Sequence, residues 1–240
     1  MPTPAQALAL LRTVARHPSA AVAFRSWTPF STTSFEMAHA LRTQGLCPRT
    51  VIDAGANIGQ FARAMAETFP EARVVSFEPD PATATRFRSN LSSCARVRLV
   101  EAAVGSRDGT ITFHPQAYDL ASSVLPAAGG SQGGPAPFDV PVGRLDTLLR
   151  DEPLDGPVLL KLDLQGYELE ALRGAPETLA RSTHVLLETA FRSGYVGEPP
   201  FDDLNDHLRS AGFRFLRPVD VLRDATGEIV QMDALFGRTS

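Results

Sequence analysis

The chain is poor in cysteine, in long apolar runs and in surplus positive charge, and each shortage excludes a class of protein. Two cysteines, Cys47 and Cys94, cannot build a disulfide framework, and neither stands in a CxxC pair or a metal-binding cluster. A reducing compartment suits that usage, so a cytoplasmic location is expected. No apolar stretch approaches the roughly 20 residues that cross a bilayer, and the N-terminus carries no secretory apolar core with a cleavage site. With 23 Lys and Arg against 27 Asp and Glu, the formal net charge is −4. No whole-protein field therefore draws in a nucleic-acid backbone, and a nucleic-acid partner is not expected. Acidic residues are also absent before Glu36, where Arg12, Arg16 and Arg25 stand among Ala, Ser and Thr. An organelle presequence and a helix laid against the domain both fit that composition. The apolar set Ala7, Leu8, Leu11, Val14 and Ala15 favours the helix, with Thr3 and Gln6 spaced as a capping box and Pro4 in its first turn.

What is present is enough for one large domain: 240 residues, 43% hydrophobic and 21% charged. Residues 1–45 are expected to form an N-terminal helical cap and residues 46–240 the domain proper. From Thr50 strands alternate with helices. Val51 and Ile52 lead into Asp53-Ala54-Gly55-Ala56-Asn57-Ile58-Gly59, after which Ile58, Phe61, Met65 and Phe69 recur at helical spacing until Pro70. Residues 73–77 read as a second strand, followed by Glu78-Pro79-Asp80-Pro81, where Asp80 caps the next helix and Pro81 opens it. Further strands are expected at 97–101, early in 103–114, and after an Asp108-Gly109 turn, with Ile111 and Phe113 on one face. The run 158–162 ends at Asp163, and 185–187 ends at Glu188, with short helices between and a longer one around 201–209. Strands near 213–216 and 229–236 close the chain. Such repeated βα units argue for an α/β, Rossmann-like fold, a mostly parallel sheet covered on both faces with an antiparallel strand near the C-terminus. Residues 115–138 break the pattern, with four glycines, four prolines and a single charged residue, Asp119. They read either as a disordered surface insertion or as a lid in which Tyr118, Ser122 and Ser123 touch substrate.

The first chemical signal is the glycine turn after the first strand. Gly55 permits a tight turn, Gly59 a close approach, and the following helix presents unpaired N–H groups. Glu78, at the end of the next strand, has two oxygens with which to accept both hydrogens of a ribose diol, as NAD or S-adenosylmethionine would require. Asp53 puts negative charge beside the turn, which suits the amino-acid end of S-adenosylmethionine better than a pyrophosphate; binding of turn amides is the plain alternative. The Gly55-x-Asn57-x-Gly59 spacing also departs from the GxGxxG pyrophosphate fingerprint. An NAD-dependent oxidoreductase is thereby disfavoured, and a non-catalytic Rossmann-like binding or assembly protein is the broader alternative.

Residues 51–61 (VIDAGANIGQF), Phe77-Glu78-Pro79 and residues 160–168 (LKLDLQGYE), continued by Leu172-Arg173-Gly174-Ala175 and Leu187-Glu188, resemble the successive motifs of the FkbM family of methyltransferases. The resemblance runs over about residues 46–217. It implies a class I methyltransferase domain with a mostly parallel seven-stranded sheet, helices on both faces, S-adenosylmethionine as cofactor and O-methylation of a small metabolite or sugar-containing product. By motif position it gives cofactor roles to Asp53, Gly55, Asn57, Gly59 and Glu78, and it puts Ala102 and Ala103 beside the adenine.

Asp163 and Glu188 end two later strands, on the side where open parallel sheets hold ligands, so both are candidates for the acceptor side of the reaction. Asp163 is the first candidate base and Glu188 the second; the alternative for each is a hydrogen bond that holds a loop. Lys161 shares a strand face with Asp163 and either orients the site or satisfies a structural carboxylate. His114, at the mouth of the 115–138 segment, is a backup base. The two carboxylates are too few to mark a metal site, and no metal is expected. The partner expected is a small hydroxyl acceptor, and a homo-oligomer joined through the N-terminal helix stays open.

Overall fold

The computed structural model describes residues 4–116, 122–130 and 134–239, with the side chains of residues 4–6 excepted. Its centre is a seven-stranded sheet of β1 (Thr50–Ala54), β2 (Arg73–Phe77), β3 (Val97–Val100), β7 (Val158–Leu162), β8 (His184–Ala190), β9 (Phe213–Arg223) and β10 (Ile229–Arg238) in the order β3-β2-β1-β7-β8-β10-β9. The pairings from β3 to β8 are parallel, and β10 runs antiparallel to both β8 and β9. Every residue of β1 and β7 is buried, which is why both read as near-continuous apolar runs. Alternation then divides the strands between two cores. Ile52, Val75, Leu160 and Leu187 pack on one face, and Val51, Val74, Leu159 and Leu186 on the other.

Helices cover both faces. α3 (Thr32–Thr43) and α4 (Gln60–Thr68) lie on the Val51 side, with α5 (Pro81–Leu91) contributing Phe87 and Leu91. On the other side α7 (Glu168–Arg173), α8 (Pro176–Arg181) and α9 (Phe201–Ser210) contribute Leu172, Leu179 and Leu208. The expected cap of α5 forms, since the Asp80 carboxylate accepts from the Ala82 and Thr83 amides with Pro81 in the first turn. β1 is flanked by β2 on one side and by β7 on the other, so the chain reverses its winding there and leaves a crevice above the strand ends.

Three features differ from the sequence reading. α1 (Pro4–Arg16) docks by only part of its expected apolar face: Leu8 is 49% and Leu11 68% exposed. It is held through buried Thr13, whose hydroxyl donates to Glu36 at 2.7 Å, and through Val14 against Ala20, Ala23 and Phe35 of α2 (Ala20–Ser26) and α3. The capping box falls on Thr3, outside the described residues. Second, a small sheet of β4 (Ala103–Val104), β5 (Gly109–Phe113) and β6 (Phe138–Gly143) sits beside the main one, followed by α6 (Leu145–Leu148). β6 escaped the sequence reading because Pro141 stands inside it; exposed Asp139 and Pro141 alternate with buried Val140 and Val142, which join Ala103 and Phe113. Third, residues 122–130 are a paired strap. Ser123 bridges to His114 and Ala127 to Tyr195 through the backbone. Among the described residues no helix is long and apolar enough to cross a membrane.

Candidate active site

The turns after β1 and β7 meet above the crevice. Gly55 adopts φ 81°, and a Cβ there would lie 1.8 Å from the carbonyl oxygen of Asp163, so only glycine lets the two turns cross. Asn57 is also left-handed, with φ 48°, and its own side chain accepts from the Ile58 amide at 2.7 Å. Its backbone N–H donates to Glu78 Oε2 at 2.9 Å, while the Asp80 N–H donates to Oε1 at 3.0 Å. Burial pushes the Glu78 carboxyl up to about 7, against the pull of those two amides.

Around this arrangement lies a cavity of about 380 Å³ whose lining includes Asn57, Glu78, Ala102, Ala103, Phe113 and Ser123. Gly55, Asn57, Glu78, Ala102 and Ala103 are thus brought together around one space. Asp53 and Gly59 are not part of the lining. Asp53 lies beneath the turn with no exposed surface, paired to Lys161 Nζ at 3.3 Å and accepting from the Ser76 hydroxyl at 3.2 Å. Gly59, with φ 93°, opens α4; a Cβ there would stand 2.5 Å from Leu91 and 3.0 Å from Phe87, so the glycine lets α4 close on α5.

A second cavity, of about 540 Å³, opens between the start of α3, at Ser31 and Ser34, and the β8, β10 and β9 ends, at Glu188, Asp233 and Asp220. Gly55, Asn57, Asp163 and Gln165 border both cavities. Lys161 rises between them. Burial alone would lower its pKa, but Asp163 and Asp53 outweigh burial and hold the ammonium above its ordinary value. It sits 3.3 Å from Asp163 Oδ2 and donates to the Gly55 carbonyl at 3.1 Å, fixing the two turns to each other.

Asp163 and Glu188 do come together, through a residue that the sequence reading did not single out. Gln165 Nε2 donates to Asp163 Oδ1 at 2.9 Å and to Glu188 Oε2 at 2.5 Å. The other Glu188 oxygen accepts from Gln231. Burial first, then the charge of Asp163, raises Glu188 well above the usual carboxylate range. Asp233 likewise rises to about 8 by burial and the nearby Asp163. Glu168, fully buried, accepts from the Leu164 and Gly166 amides and so shapes the turn itself. His114 lies apart, bordering neither cavity and exchanging backbone hydrogen bonds with Ser123 at 2.7 and 3.3 Å. Ser122 and Ser123 line the first cavity, while Tyr118 lies outside the described residues. Among the described residues no group of three or more His, Cys, Asp or Glu is arranged to hold a metal ion.

Several known proteins are similar to this chain. The FkbM methyltransferase domain model matches residues 53–215. The 2-O-methyltransferase NoeI of Sinorhizobium fredii is 33% identical over 172 residues, covering 67% of this chain and 71% of that protein. Methyltransferase sdnD of Sordaria araneosa is 30% identical over 157 residues, covering 53% of this chain and 60% of the relative. Among solved structures, magnesium protoporphyrin IX methyltransferase from Synechocystis PCC 6803 superposes with a TM-score of 0.49 at 14% identity, over 87% of this chain and 78% of that one. A domain match spanning most of the chain makes this protein a member of the FkbM family of S-adenosylmethionine-dependent methyltransferases.

Proposed function

We propose that the protein methylates a hydroxyl of a small metabolite or sugar-containing product, with the methyl donor in the Glu78 cavity and the acceptor in the Glu188 cavity. The observation that carries this reading is the shared border: Asp163 and Gln165 face both spaces, and in-line transfer requires donor and acceptor to meet across one short gap.

The residues fit the cofactor. Each Glu78 oxygen already takes one backbone amide, and its remaining lone pairs suit the two hydroxyls of a ribose. Ala102, Ala103 and Phe113 all line this cavity, and the small alanines suit the face of a flat ring. Asp53 supports the site from one layer below by holding Lys161, and Gly59 supports it by seating α4. S-adenosylmethionine, when bound, supplies a methyl group on a sulfonium and hence its own leaving group. The chain is left with alignment and with the acceptor proton. Asp163, the carboxylate common to both cavities, is assigned to orient the hydroxyl and accept that proton, with Glu188 as the second carboxylate of the pair. The strap 122–130 walls the first cavity and takes the lid role. The similarity to NoeI, a 2-O-methyltransferase, supports oxygen as the acceptor atom.

The test is transfer of a labelled methyl group from S-adenosylmethionine across a panel of sugars, polyols and hydroxylated acids, with the product analysed for the methylated atom. A methyl ether is expected. Label recovered on nitrogen or carbon overturns the oxygen assignment.

A further inference from the structure

Gln165 occupies an unusual backbone conformation for the work of a plain connector. It has φ 54° without being glycine, and Gly166 after it has φ 94°, so two successive left-handed residues aim the Gln165 side chain back across the strand ends. That conformation is braced from two directions. From below, Glu168 accepts from the Leu164 and Gly166 amides. From the strap, the hydroxyl of buried Ser123 donates to the Gln165 carbonyl at 2.8 Å, with the Leu164 carbonyl 3.3 Å away.

Every polar site on the Gln165 side chain is used. The amide nitrogen has two hydrogens and donates to two carboxylates, Asp163 and Glu188, while the amide oxygen accepts from the Tyr195 hydroxyl at 2.8 Å. Tyr195 is itself joined to the strap, since its backbone bridges to Ala127 and the neighbouring Gly194 carbonyl accepts from the Ala128 amide at 2.9 Å. The strap therefore grips Gln165 twice, by the main chain through Ser123 and by the side chain through Tyr195. Other charged groups around the carboxylate pair are Lys161 on β7, Asp53 on β1, Glu168 on α7, Asp220 on β9 and Asp233 on β10. Among these only Lys161 is a cation, and it reaches Asp163 but not Glu188 within ion-pair distance. Gln165 is thus the group that spans the two acids.

We propose that Gln165 is the positioning residue of the acceptor site: it fixes the separation of Asp163 and Glu188, keeps both as hydrogen-bond acceptors, and ties their arrangement to the 122–130 strap through Tyr195. This rests on the assignment of those two carboxylates to the acceptor proton. A hydrogen bond donated to a carboxylate favours its charged form, so loss of the amide raises the proton affinity of the pair, whereas a purely structural glutamine leaves it unmoved.

The experiment uses the full chain and needs no acceptor. Carboxyl carbon NMR titrations of wild type, Gln165→Met and Tyr195→Phe report the apparent pKa values of the Asp163–Glu188 pair, and hydrogen exchange with and without S-adenosylhomocysteine reports the strap. Gln165→Met is expected to raise the apparent values by about one unit or more, and Tyr195→Phe by less. Both variants are expected to lose about tenfold or more of the amide protection in residues 122–130, with and without the probe. Tyr195→Phe removes one oxygen only and keeps the test open if Gln165→Met folds poorly. Unchanged titration with a lower Tm, or unchanged strap protection in Tyr195→Phe, overturns the proposal. Once a methylated acceptor is in hand, single-turnover rates unaffected by both Asp163→Asn and Glu188→Gln would remove the assignment beneath it; a rate lost in those variants with no titration shift in Gln165→Met would sink the positioning role alone.

Discussion

Lys161 and Asp53 face each other from paired positions on β7 and β1, ammonium to carboxylate at 3.3 Å, with Asp53 wholly shielded from solvent. A buried pair of this kind adds little over an apolar replacement of both members, but removing one member strands the other. Lys161→Met is therefore expected to destabilise the fold by about 3–5 kcal/mol, and Asp53→Asn together with Lys161→Met to recover part of that loss. Urea unfolding of the two single variants and the double variant measures it. A double variant as unstable as the sum of the singles would show the pair to be uncoupled.

Glu78→Ala removes the carboxylate that faces the first cavity. S-adenosylmethionine binding is expected to weaken by about 1.5–3 kcal/mol, the worth of a hydrogen bond to a charged group. Calorimetry on the folded variant decides it, and wild-type affinity would dissociate Glu78 from the ribose.

Asp163→Asn keeps size and removes the proton acceptor. Its single-turnover rate is expected to fall roughly 10²–10⁴-fold with cofactor affinity largely kept. Glu188→Gln is the paired control, and it retains an acceptor oxygen for Gln165. Near-normal chemistry in the Asp163 variant alone would transfer the base role to Glu188.

Burial and the nearby Asp163 push the Asp233 carboxyl up to about 8, with Lys161 pulling only partly the other way. The folded state thus holds this proton more tightly than the unfolded state. Between the ordinary value of 3.8 and about 8, stability contributed by the group is lost as pH rises. Asp233→Asn removes that loss, so the variant is expected to exceed wild type in stability, by on the order of 1–3 kcal/mol near pH 8, with the gap narrowing toward pH 5. Thermal melts across this range check the sign; a constant gap would mean that Asp233 does not titrate there.

Those sites differ in how far the sequence reveals them. Runs such as 158–162 announce buried parallel strands because both faces are covered, and Glu78 stands out as a carboxylate at the end of the strand after the glycine turn. Gln165 gives no such signal. Its role depends on a left-handed backbone and on Glu188, 23 residues further along, and on Tyr195, 30 residues away, in a glycine-containing loop. Asp53 and Gly59 carry motif positions, yet depth decides their work: one lies under Lys161 and the other against Phe87. α1 misled for a different reason. Its apolar spacing is real, but a buried threonine bonded to Glu36 sets its orientation, so Leu8 and Leu11 face outward.

The crossing of Gly55 under the Asp163 carbonyl also bears on which parts of this chain can change. Any side chain at position 55 would drive into the backbone of the turn after β7, because not even one carbon fits between them. The two turns must therefore be inherited as a matched pair. Freedom to vary is left to segments with open space around them, such as the turn at Gly227 between β9 and β10, where an added side chain would meet nothing within 4 Å.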